Sequence, residues 1–209
     1  MDINSLDRQA LPYRAANGSR VARTREAIVA SALALVAAGA VAPIVRDVAK
    51  MAGVSARTVF QHFADTAELY VAVLGRVVGT LFGDVPDLAA AMPLDERVMV
   101  VVRQVANRFE QLMPMWTFVE ALQQRSTAAS DMVVQAYTAN HANLARLFDR
   151  ELAELPAESR ERTLTAVAMA LAPESWVMLR RRLGLTADQA RDELGFVVNS
   201  VFKDVPPRR

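Results

Sequence analysis

Three observations predict an all-α protein. Apolar residues recur at the three- and four-residue spacing of one helix face in nearly every segment of the 209-residue chain. No stretch alternates apolar and polar residues between turn signals, as a half-buried strand would. Helix stop and start signals punctuate the periodic segments: Gly39, Gly53 and Gly184 where helices should end, Ser55 and Thr186 where they should begin. With 53 % hydrophobic and 22 % charged residues, the chain has ample apolar surface for a packed core and is not broadly disordered.

The elements follow in order. Residues 1–19 are polar, contain Pro12 and Gly18, and read as a flexible basic arm carrying Arg8 and Arg14. A first helix over about 20–38 places Ile28, Ala32, Leu35 and Val36 on one stripe and stops at Gly39. A short second helix over about 44–51 has Ile44, Val48 and Ala52 as its inner face, and Gly53 permits the turn that follows. Ser55 can cap a third helix over about 55–63, and a longer fourth covers about 66–82. Gly83, Pro86 and Pro93 then mark a connection. Beyond it the periodicity predicts helices over about 94–112, 114–126, 128–154, 157–183 and 187–203. Pro173 should kink or break the fourth of these, and Thr186 with Gln189 forms a capping-box pattern that starts the last.

Composition excludes several chemistries. The chain has no cysteine, so structural disulfides, thiolate zinc sites, iron–sulfur clusters and a cysteine nucleophile are ruled out. Its two histidines, His62 and His141, have no Glu three residues before them and cannot form a His-x-x-x-His pair. No histidine–carboxylate pairing or phosphate loop is present, so the expectation is no catalytic residue, no metal and no cofactor. The uncharged run of 19 residues from Ala27 to Val45 is long enough to span a membrane, but eight are Ala and it includes Ser31, Gly39 and Pro43, which weakens its drive to insert.

Net charge is only +1, yet eight basic and two acidic residues fall between Arg8 and Phe63. A basic end on a mildly acidic remainder suits a module that meets a polyanion, although a solvated basic face is the common alternative. Two short helices joined by a Gly-containing turn form a helix-turn-helix, whose second helix lies in the major groove when it binds DNA. Asp47-Val48-Ala49-Lys50-Met51-Ala52-Gly53-Val54-Ser55 fits it: Ala49 allows close helix approach, Gly53 makes the turn and Val54 fills the space beneath. At about 100° per residue, Val59 and Phe63 share one face of the next helix while Arg57 and Gln61 lie opposite, with Phe60 on the flank. Arg57 can pair bidentately with guanine, and Ser55, Thr58 and His62 can bond to phosphate. A buried, hydrogen-bonded histidine is the alternative for His62. Helix-turn-helix shapes also occur in proteins that bind no DNA.

The run Ala52-Gly53-Val54-Ser55-Ala56-Arg57-Thr58-Val59-Phe60-Gln61-His62-Phe63, followed by Ala67-Glu68-Leu69, resembles the signature of the TetR family of bacterial transcriptional repressors. With the helices before it, the resemblance spans about 20–82. It implies an N-terminal three-helix helix-turn-helix DNA-binding domain followed by a C-terminal helical ligand-binding and dimerisation domain. The expected division is arm 1–19, DNA-binding domain 20–65, connecting helix 66–82 and ligand-binding and dimerisation domain 83–209. The implied partners are a palindromic double-stranded DNA operator, a second copy of the chain and a small apolar effector, in the cytoplasm and away from membranes; a helix-turn-helix protein without an effector is the alternative. Ala27 to Ala38 then corresponds to a buried first helix.

The residues expected to meet DNA are Arg25, Arg46, Ser55, Ala56, Arg57, Thr58, Phe60, Gln61, His62 and Thr66. Three positions depart from the family pattern. Thr66 replaces a phosphate-binding Lys, Phe60 replaces a frequent Tyr and offers only apolar contact, and Pro43 stands where a Thr often caps the second helix.

In the remainder, Phe109, Met113, Trp116, Met132, Tyr137, His141 and Trp176 are candidates for an effector pocket, because methionines and aromatics adapt to apolar ligands. Ordinary core is the alternative for each. Asn140 is among the polar residues near this set. Leu171, Leu179, Leu194, Val197, Val198 and Val201 belong to two apolar stripes that can form a four-helix dimer interface or simply fill the core. Ala172-Pro173-Glu174-Ser175-Trp176 through Leu185 is similar to the family's dimerisation helices.

Overall fold

The structure, a computed structural model, describes residues 10–83 and 92–203, the first ten of these for their backbone alone. Arg8, Pro86 and the Pro206–Arg209 end lie outside the described residues. Eleven α-helices make up the described fold, and no strand occurs among these residues. They group into two units: residues up to Gly75 together with Pro114–Ser126, and Arg76–Met113 together with Thr127 onward.

In the first unit, α1 (Ala10–Ala37) starts ten residues before the expected helix start at 20. Pro12 falls in its opening turn, where backbone N–H groups have no intrahelical partner and proline costs nothing. Ile28, Ala32 and Val36 on the expected stripe are fully buried. α2 (Val45–Met51) and α3 (Ala56–His62) pack on α1 and on each other. Gly53 takes φ +68°, a backbone conformation that L side chains rarely adopt, and its turn is closed by the Val54 amide donating to the Ala49 carbonyl at 3.0 Å. α4 (Thr66–Leu81) follows, its residues to Gly75 counting with this unit. So does α6 (Trp116–Arg125), whose Phe118 meets the Tyr70 ring edge-on at 5.9 Å. Sequence position had placed α6 with the C-terminal region.

One expected core residue is corrected. Ile44 is 61 % exposed, because it is the N-cap of α2, with φ −73° and ψ 130°, and lies outside the helical array whose periodicity assigned it inward. Val48 and Ala49 carry the buried face instead. The cap that Pro43 cannot provide is indeed missing, but the Pro43 carbonyl accepts a hydrogen bond from the Tyr70 hydroxyl at 2.8 Å.

In the second unit, α5 (Leu94–Leu112) and α11 (Ala187–Lys203) cross closely enough that a Cβ on buried Gly195 would meet Met99 Sδ at 2.7 Å. α11 also packs on α9 (Ala157–Ala170), and α9 on α7 (Thr127–Leu147). The helix expected over 128–154 is divided at Phe148, whose ψ of 21° ends α7 and starts α8 (Asp149–Glu154); its buried ring lies 5.1 Å from Phe202. The helix expected over 157–183 breaks before Pro173, which becomes the first residue of α10 (Pro173–Val177). A turn of π-helix, Met178–Arg182, continues from α10, with the Leu183 amide donating to the Met178 carbonyl five residues back at 3.0 Å. The capping box ahead of α11 forms as read: Gln189 N–H donates to Thr186 Oγ1 at 3.2 Å, and Thr186 N–H to Gln189 Oε1 at 2.9 Å.

Candidate nucleic-acid interface

The helix-turn-helix is shaped by short-range polar bonds on its surface and apolar residues beneath. Ser55 Oγ accepts from the Thr58 amide at 3.0 Å, capping α3, and lies 2.9 Å from the Thr58 hydroxyl. Val59 and Phe63 are each 1 % exposed and anchor α3 to the core. Arg57, Phe60 and Gln61 are exposed, and their i, i+3 and i+4 positions form one outward stripe. Phe60 is 51 % exposed, a large apolar ring left in solvent beside a guanidinium and an amide. Ala56 is exposed, and Thr58, His62 and Thr66 are half-buried around this stripe. Arg46 projects from α2 into solvent, 3.6 Å from Asp47.

Arg25 is placed differently from the other nine. Its guanidinium donates to the His62 carbonyl at 2.6 Å and to Glu68 Oε1 at 3.3 Å, and sits 4.0 Å above the Phe63 ring centre. Glu68 and its neighbour Asp65 are polar residues whose structural part sequence reasoning passed over. The Ala64 amide donates to Glu68 Oε2 at 2.7 Å, and the Glu68 amide to Asp65 Oδ1 at 2.8 Å, so the two carboxylates shape the joint between α3 and α4. The Asp65-x-x-Glu68 spacing is the signal that announces such a joint.

Residues 28–73, which hold α2, α3 and this joint, match the family model for bacterial regulatory proteins, tetR family. This segment is similar to the DNA-binding, N-terminal part of that family. No curated protein matches the chain's sequence. Its fold is shared with a transcriptional regulator from Rhodococcus sp. Rha1, at 14 % identity and TM-score 0.69 over 87 % of this chain and 97 % of that one. It is shared too with a tetR-family transcriptional regulator from Streptomyces coelicolor, at 18 % identity and TM-score 0.64 over 88 % and 90 % of the two chains. Among the described residues, no helix is long and apolar enough to cross a membrane.

The second unit distributes the remaining candidates unevenly. Phe109 is buried, 6.4 Å from the Trp176 ring, and lines a cavity of about 20 Å³ with Leu81, Phe82, Asn140 and Leu144 among others. Trp176 is fully buried, and its indole N–H donates to Glu110 at 2.9 Å. Glu110 also accepts from Arg180 Nε at 2.7 Å; that hydrogen bond, helped by the one from Trp176 and opposed by burial, holds its carboxyl below the ordinary 4.5. The Tyr137 hydroxyl donates to Glu174 at 2.6 Å, and burial with that neighbouring carboxylate pushes the phenol far up. His141 faces Glu161 at 3.6 Å, and Met132 and Met113 are half-buried, the Met113 carbonyl accepting from Arg181. Trp116 belongs to the first unit. Of the expected interface residues, Leu171, Leu179, Leu194 and Val198 are buried within their own unit, whereas Val197 is 40 % exposed and Val201 partly so.

Proposed function

We propose that the chain is a TetR-family regulator, a cytoplasmic homodimeric repressor whose two α3 helices enter successive major grooves of a palindromic operator. The outward stripe of Arg57, Phe60 and Gln61, opposite the buried Val59 and Phe63, carries this reading: it joins a base-reading guanidinium and amide to an apolar ring suited to a thymine methyl. Ser55, Thr58, His62, Thr66, Arg46 and the helix start at Ala56 flank it as phosphate and backbone contacts. In this reading residues 20–65 bind DNA, 66–82 connect, and 83–209 dimerise and receive an effector, while Arg14 in the opening of α1 adds charge near the backbone.

For the dimer, the supporting surface is an apolar groove of about 370 Å³ lined by Met169, Met178, Val197 and Val201, with Met169 67 % exposed. A copy of the chain covering this groove would bury the stripe that the chain's own core leaves open. Changing Val197 and Val201 together to Glu should cost several kcal/mol of association, since each charge would be buried unpaired. Sedimentation should show a folded helical monomer that no longer binds a palindrome; an intact dimer would place the interface elsewhere.

A second reading, a DNA-binding regulator without an effector, is favoured by one observation. The cavity beside Phe109 and Asn140 is about 20 Å³, room for a water molecule and far below the several hundred Å³ of ordinary ligand sites. A thermal-shift screen of small apolar compounds, repeated with operator DNA, separates the two. A compound that raises Tm of the free protein and lowers its affinity for DNA supports the effector.

A further inference from the structure

We infer that Arg25 is a positioning residue for DNA reading: it clamps the carboxyl end of α3 and the first turn of α4 to α1, and makes no DNA contact itself. This rests on DNA binding through α3. One guanidinium is committed to three partners from two elements beyond its own helix. Nη1 donates to the carbonyl of His62, the last residue of α3, at 2.6 Å; Nη2 donates to Glu68 on α4 at 3.3 Å; and Cζ lies over the ring of Phe63, the residue that ends α3, 4.0 Å from its centre. Glu68 closes the loop through its other oxygen, which accepts from the Ala64 amide.

The chemistry suits a clamp. A guanidinium presents its donors in a fixed planar fork and stacks on an aromatic face, so one side chain can satisfy a carbonyl, a carboxylate and a ring together. Its charge also sits at the carbonyl end of α3, where a cation is favoured. α3 has only seven residues and one buried side chain of its own, Val59. Beside the packing of Val59 and Phe63, its direction therefore depends on what holds its carboxyl end, which is Arg25. A small tilt at the clamped end would swing Arg57 and Gln61 off base edges, while phosphate contacts, which carry no sequence information, would persist.

The test compares Arg25→Lys, Arg25→Gln and Glu68→Gln with the unaltered full-length chain. The probes are a duplex selected by that chain from a random library and a scrambled duplex of the same composition. Binding of the unaltered chain to the selected duplex reports on DNA reading itself; the variants, measured against it, report on the clamp. Arg25→Lys keeps the charge and loses the fork and the stacking. It should weaken the selected duplex by about tenfold or more and leave the scrambled one unchanged. Arg25→Gln should leave the salt dependence unaltered. Glu68→Gln removes a negative charge, which by repulsion alone would tighten every duplex; the clamp requires it to weaken the selected one.

Three results would overturn the proposal. One is Arg25→Lys binding as the unaltered chain does, with Arg25→Gln lowering the salt slope by about one phosphate per half-site, the behaviour of a phosphate contact. Another is Glu68→Gln tightening both duplexes. The third is loss of helical signal in Arg25→Lys, which would make the residue a support of the fold alone.

Discussion

Around the recognition helix, most polar bonds close over three or four residues: Ser55 to Thr58, Asp65 to Glu68, Glu68 to Ala64. Arg25 and Tyr70 supply the longer reaches there. The second unit has local bonds too, such as the Thr186–Gln189 box, but adds several that span about half its length. Glu110 takes Trp176 and Arg180 from 66 and 70 residues away, and Arg97 on α5 meets Glu151 on α8 54 residues later. The difference separates two tasks. Short bonds on the surface shape a seven-residue helix and leave its outer stripe uncommitted, so side chains there can change partner without cost to the fold. Long, partly buried bonds tie segments of the second unit that lie far apart in the chain.

The largest expected effect breaks the second kind of bond. Arg97 is 4 % exposed and meets Glu151 through Nη2 and Oε1, while Nε of Arg97 and Oε2 of Glu151 have no hydrogen-bond partner. Arg97→Met would strand the Glu151 carboxylate in the interior and should cost about 3–5 kcal/mol in urea unfolding. Replacing Glu151 by Leu in the same chain should return most of that, because two apolar groups need no partner. The single variant unfolding as the unaltered chain does would show that the pair is solvated.

Arg57→Ala tests the opposite case, an exposed side chain to which the proposed reading gives a task at the DNA. It should leave the unfolding curve within about 0.5 kcal/mol and cost about 1–3 kcal/mol on the selected duplex, relaxing preference at one position in each half-site. Equal losses on selected and scrambled DNA would assign Arg57 to phosphate.

The smallest effect concerns pH. Because the Arg180 hydrogen bond holds Glu110 below its ordinary 4.5, the carboxylate's contribution to stability is present above that value. It is lost as the solution is acidified through the lowered folded value. Glu110→Gln should therefore flatten the acid limb of stability followed by Trp176 fluorescence, with little change at neutral pH in its slope. An unchanged acid limb would mean that Glu110 titrates alike in both states.

Legibility in the sequence follows the same division. The Ser55 cap, the Gly53 turn, the inward Val59 and Phe63 and the Thr186–Gln189 box were readable because each depends on residues at most a turn or two apart. Ile44 was misread for a local reason too: helical periodicity does not extend to a cap residue held in extended backbone. The partners of Trp176, the division at Phe148 and the grouping of α6 with the first unit depend on residues far apart in the chain, and no spacing rule reaches them. The two outward faces differ likewise. Arg57 and Gln61 stood out as exposed because their neighbours' burial is fixed within two turns, whereas Leu194 and Val197, three residues apart on one apolar stripe, divide between core and surface only once α5 and α9 are in place.

The π turn at Met178–Arg182 changes the phase of its helix. Bonding to the fifth residue back instead of the fourth admits one more side chain per turn, and here consecutive arginines both reach α5 or its end: Arg180 to Glu110, Arg181 to the Met113 carbonyl. In the arithmetic of insertions and deletions, this is a place where the chain holds one residue in excess. Deleting one would let an ordinary α turn close without moving either end far, and α11 could keep its register against α5. It would also rotate the shortened segment by about a quarter turn, so only one of the two arginines could stay on its acceptor. The widened turn is thus a length reserve in the backbone whose spare residue has been put to use as a second fastening.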